Sequence, residues 1–147
     1  MMEKPKIEMM TAATFQKIVE VLQFNQQDTA VKAAQLFDEL ERQGILSSHY
    51  KDLYARLGRC KLKVERQVKY VRGKVELEYR RKVKTIDGIA KMTDATVKAC
   101  VEVDEEVCES EDLLIEVTWW YNQAANYALA MDQRMDIMRM LQKEKDR

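Results

Sequence analysis

Apolar residues recur every three or four positions through most of this chain, the spacing that gathers them on one face of an α-helix. The longest series runs through Tyr50, Leu53, Leu57, Cys60, Val64, Val68, Val71, Val75 and Tyr79. Ser47 or Ser48 is placed to cap the helix that carries it, and Asp87-Gly88 marks a turn just after Ile86. At about 1.5 Å per residue the spacing predicts a rod on the order of 55 Å long.

A second long series, Val107, Ser110, Leu114, Val117, Tyr121, Ala124, Ala128, Met131, Met135 and Met138, alternates threes and fours as a coiled-coil seam does. Asp104 can cap this helix, and Glu105, Glu106 and Glu109 complement the positive end of its dipole. Thr93 can cap a short helix over residues 94–101 just before it.

Upstream, residues 1–10 read as a frayed start. Thr11 then caps a short helix with Phe15, Ile18, Val19 and Leu22 on one face, and residues 25–28 read as a turn. Asp28 is read as the cap of a second short helix carrying Val31, Ala34, Phe37 and Leu40, with Gly44 in the left-handed position that ends it.

The predicted fold class is all-α. Short helices over residues 1–46 precede a long antiparallel helical hairpin over residues 47–147, with a basic first arm and an oligomerising second arm. A two-helix layer leaves its stripes and the Trp119-Trp120-Tyr121 bulk uncovered, so a homo-oligomer is expected through coiled-coil-like packing. The interface is assigned to Leu114, Val117, Trp120, Tyr121, Ala124, Ala128, Met131, Met135 and Met138. Trp119 and Trp120 point about 100° apart, which suits one to core or oligomer packing and the other to an interface, with base stacking as the alternative.

Composition agrees with helix: 46% hydrophobic and 34% charged residues, with four Gly and a lone proline, Pro5. No apolar run is long enough to span a bilayer and no signal region is evident, so no membrane is expected. The odd set Cys60, Cys100 and Cys108 fits a reduced cytoplasm.

Charge is segregated along the chain. The total is zero, yet residues 51–84 hold thirteen Lys or Arg against four acidic residues, a net of +9, and residues 94–116 hold nine acidic residues against Lys98, a net of −8. On a helical wheel Arg59, Lys63, Arg66, Lys69, Arg80, Arg81 and Lys84 all fall at least 100° from Val64, with Tyr70 among them. Such a ridge can neutralise phosphates and stack a base on the tyrosine. It can equally meet the acidic segment of the same or a neighbouring chain, and both readings stand at this point.

Candidate catalytic chemistry is sparse. His49 is the sole imidazole and follows a helix cap, the cysteine spacing lacks a zinc ligand set, and no P-loop, GxGxxG or HExxH is present. No enzyme, metal or cofactor is expected.

From Tyr50 onward the chain resembles the phage recombination mediator family typified by UvsY. The resemblance rests on the long basic helix, the connector Val103-Asp104-Glu105-Glu106-Val107, the cluster Trp119-Trp120-Tyr121, and Ala128-Leu129 followed by Arg134 in a methionine-rich helix. It departs in carrying Arg80-Arg81-Lys82 and then Asp87-Gly88 where the family has a basic segment, paired tyrosines and a glycine. The resemblance implies a cytoplasmic, closed oligomer that binds single-stranded DNA and loads a RecA-like recombinase onto strands coated by single-strand-binding protein. The alternatives are a coiled-coil scaffold or adaptor, or a small phage inhibitor of a host protein, neither touching nucleic acid.

Overall fold

The computed structural model describes residues 9–85 and 93–147, with the side chains of 82–85 left aside. Four α-helices are present among them and no strand: α1 Ala12–Glu20, α2 Leu36–Thr85, α3 Asp94–Val103 and α4 Glu105–Lys145. The expected turn at Asp87-Gly88 lies outside the described residues.

The helix starts follow the capping residues. Thr11 Oγ1 accepts from the Thr14 amide, Thr93 Oγ1 from the Thr96 amide, and the Asp104 carboxylate from the Glu106 amide. Each satisfies a donor that the first helical turn would otherwise leave unpaired.

α2 and α4 pack antiparallel along their length. Gln43 Nε2 donates to the Met131 carbonyl at 2.9 Å near one end, the Tyr54 and Tyr121 hydroxyls share a 2.9 Å hydrogen bond midway, and Lys74 pairs with Glu106 at 3.1 Å near the other. The α2 stripe behaves as its spacing predicts: Tyr50, Leu53, Leu57, Val64, Val68, Val71 and Val75 are all buried.

One chain covers this seam with its own shorter elements. α1 brings Phe15 against Leu57, Val64, Val117 and Ala124, while α3 brings Val97 and Val101 against Val71, Val75 and Val107. The strand of chain before α1 is pinned by Gln67, whose side-chain amide donates to the Met10 carbonyl and accepts from the Met10 amide, both at 2.8 Å. At the other end Leu22, Phe24 and Tyr127 close over Tyr50, Leu53 and Met131.

The expected second short helix does not form. Residues 26–29 and 33–35 make two 3₁₀ turns, and α2 starts at Leu36 and passes uninterrupted through Gly44, Ser47 and Ser48. Asp28 caps nothing; its carboxylate accepts from the Tyr50 hydroxyl at 2.7 Å and pairs with Arg42 at 3.1 Å. Phe37, assigned to a core face, is 73% exposed, and Leu36 is buried instead.

The reason is that the α2 seam continues upstream as Leu36, Glu39, Gln43, Leu46 and Tyr50, in steps of three and four. Its two polar members hide the pattern. Gly44 falls on the exposed side, where a Cβ would meet nothing within 4 Å, so the helix bears only the entropic cost of glycine. Gly44→Ala is expected to raise the unfolding free energy by about 1 kcal/mol, read from the urea midpoint.

Tyr50 ties the irregular segment to the bundle. Its hydroxyl donates to Asp28 and accepts from the Asn25 amide at 3.1 Å, and its ring stacks on Tyr127 with centroids 4.9 Å apart. Burial, reinforced by the Asp28 carboxylate, pushes its pKa from 10.0 to about 12, against the lowering effect of the Asn25 amide. Folding therefore favours the neutral phenol, a contribution whole below pH 10 and lost as pH rises toward 12. Tyr50→Phe is expected to remove roughly 2 kcal/mol from the alkaline fall in stability, measured by urea unfolding from pH 9 to 12.

Candidate nucleic-acid interface

Packing fixes which side of α2 faces outward. With Leu57, Val64 and Val71 turned into the bundle, Arg59, Lys63, Arg66, Lys69, Tyr70, Arg80 and Arg81 are all exposed on the far side. Arg59 and Arg81 are 22 residues apart, so the ridge runs about 33 Å along the helix. Lys84 is the penultimate residue of α2, and its side chain is outside the described residues.

The acidic segment of α3 and α4 draws most of its basic partners from the flank of α2. Arg72 pairs with Glu111, Lys74 with Glu106 at 3.1 Å, and Arg80 with both Glu76 at 3.0 Å and Asp94 at 3.1 Å. Of the ridge side chains that are described, only Arg80 is engaged in this way. Arg59, Lys63, Arg66, Lys69 and Arg81 make no ion pair among the described residues, so the internal pairing considered from sequence leaves five ridge cations exposed to solvent.

Apolar surface is interleaved with these charges. Leu62, Tyr70 and Leu77 are 55%, 46% and 56% exposed. Around Tyr70 and Gly73 a shallow groove of 420 Å³ is bordered by Lys69, Lys74, Leu77 and Arg81, with Glu78 at its edge. Cations flanking a flat aromatic ring above an apolar floor can hold a phosphate and an unstacked base together.

No protein-family model, characterised protein or solved structure matches this chain.

The residues expected to form an oligomer interface lie mostly inside the chain. Val117, Ala124, Met131 and Met138 are fully buried against α2 and the segments that cover it, which leaves them no area for a second copy. Leu114, Tyr121, Ala128 and Met135 are half-buried beside them. Trp120 packs on Phe24 at 5.8 Å between centroids, and it is Trp119 that stands out, 54% exposed. Tyr121 stacks on Tyr54 at 5.0 Å with the Lys61 ammonium 4.7 Å from its ring centre.

A buried polar cluster escaped the sequence reading. Arg134 is fully buried on the α4 seam and forms an ion pair with Glu39, itself 2% exposed. The guanidinium also donates to the Gln43 side-chain oxygen and to the Ala30 and Glu39 carbonyls. Burial lowers the Arg134 pKa from its ordinary value. The signal was its position three residues after Met131 and four before Met138, on the seam itself.

Other chemistry is quiet. His49 Nε2 lies 2.9 Å from the Gln23 carbonyl and its ring packs on Tyr50, a bracing contact. The three cysteines are free and half-buried, and burial raises the Cys60 thiol despite Lys63 and Arg59 nearby. No group of three metal-ligating side chains occurs among the described residues, and no helix there is long and apolar enough to cross a membrane.

Proposed function

We propose that this protein is a non-catalytic single-stranded DNA-binding protein that acts as a recombination mediator, using the outward ridge of α2 as its DNA contact. One observation carries the reading: five basic side chains stand unpaired around an exposed tyrosine, while Glu111, Glu106 and Asp94 of the acidic segment are held by Arg72, Lys74 and Arg80. The loading of a RecA-like recombinase onto strands coated by single-strand-binding protein rests on the family resemblance of the second half of the chain.

Single strands suit the ridge better than duplex, because Tyr70 and Leu77 offer stacking and apolar surface that only unpaired bases can use. The test is anisotropy of a labelled oligo-thymidine across a salt series. Five phosphate contacts predict a slope of log affinity on log salt near −3.5. A scaffold that never touches nucleic acid gives no binding even at low salt.

A further inference from the structure

α4 carries a second stripe, half a turn away from the seam it shares with α2. Ile115, Trp119, Leu129, Ile137 and Met140 are between 46% and 69% exposed. Asn122, Asn126 and Gln133, also exposed, fill the intervals, so residues follow one another in steps of three and four over more than three heptads. From Ile115 to Gln133 the stripe holds no charge, although this face points to solvent in a chain that is 34% charged.

Read in either direction the stripe is apolar at both ends and carries amide side chains toward its centre, with Leu129 among them. Reversed upon itself about the midpoint of residues 127 and 128, it sets Ile115 on Met140, Asn122 on Gln133 and Asn126 on Leu129. Trp119 falls on Asp136, beside Ile137, where its ring has an apolar neighbour and its indole N–H a carboxylate acceptor. Ala125 meets Ala130 beside the centre, and two small side chains there let helix axes approach closely.

The same register sets Asp112 opposite Lys143 and Glu116 opposite Arg139. It also sets Glu111 opposite Glu144 and Glu109 opposite Asp146, of which Glu111 is already answered by Arg72 within the protomer. A parallel arrangement would instead bring the acidic start of one α4, with Glu105, Glu106, Glu109, Glu111, Asp112 and Glu116, against its own copy. Antiparallel helices also oppose their dipoles favourably.

We propose that two copies of this chain pair through the outward stripe of α4, antiparallel and about a two-fold axis near residues 127 and 128. The contact is isologous and closes on itself, as symmetric dimers do. It uses the opposite face of α4 from the seam buried in the protomer. It does not depend on the DNA-binding reading, because the α2 ridges face away from it.

The test is sedimentation or light scattering of the full chain at micromolar concentration, with helicity followed on the same samples. The native protein should show twice 17.3 kDa. Leu129→Lys, which sets two ammonium groups near the axis, should give 17.3 kDa with helicity unchanged, because the side chain is exposed. Should that variant lose helicity, Met140→Lys at the rim serves in its place. Asp112→Lys should weaken pairing about tenfold, and adding Lys143→Asp should restore it. A native mass of 17.3 kDa at every concentration overturns the proposal, as does a mass above the dimer or a lysine variant that stays dimeric. A double charge swap that fails to restore pairing overturns the antiparallel register.

Discussion

Arg134→Met is expected to lower the unfolding free energy by about 3–5 kcal/mol, the largest loss of any single substitution considered. The change leaves the Glu39 carboxylate buried at 2% exposure with only Arg42, 3.5 Å away and half exposed, to answer it. It also strips donors from Gln43 and from the Ala30 and Glu39 carbonyls. In thermal unfolding the loss corresponds to a fall of about 10 °C or more. The cause is checked by adding Glu39→Leu: removing both charges lets apolar side chains fill the site, and most of the stability should return. A single mutant within 1 kcal/mol of the native protein, or a double mutant no better than the single, would refute the buried pair.

That cluster also shows where periodicity is readable and where it fails. The α2 stripe from Tyr50 to Val75 and the caps at Thr11, Thr93 and Asp104 were legible, because each signal there is an apolar or capping residue at its ordinary place. Upstream of Tyr50 the seam includes Glu39 and Gln43, which a hydrophobic pattern scores as surface, so the helix was broken at Gly44. They are tolerated in the core because they meet Arg134 and the Met131 carbonyl from the other helix. No local reading of either segment contains that partner.

On α4 the layer Ser110, Val117, Ala124, Met131 and Met138 was legible, and all five are buried. The alternate layer was placed one residue late, at Leu114 and Met135 in place of Leu113 and Arg134. The side chains either side of a seam are both apolar at 113 and 114, so only the approach of α1 and α2 decides between them. The wheel position of the basic ridge, by contrast, needed only the α2 stripe, and the ridge side chains from Arg59 to Arg81 lie exposed.

Replacing Lys63, Arg66 and Lys69 together by alanine is expected to weaken single-stranded DNA binding by on the order of a hundredfold near 50 mM salt and to flatten the salt slope by about 2. All three side chains are exposed and make no ion pair among the described residues, so the fold should lose nothing measurable. Alanine is also a better helix former than the residues it replaces. The control is the triple change of Lys51, Arg56 and Lys74 to alanine. These cations are on the same helix but already engaged by Asp132, Asp52 and Glu106, so affinity should fall far less. Equal losses in the two triple mutants would mean that net charge alone attracts the strand and that the ridge is no site. A loss of affinity with an unchanged slope would point to a contact other than phosphate. The dimer offers an independent check, since its α4 surface lies on the other side of the bundle. The ridge mutant should keep the mass of the native protein while losing the strand.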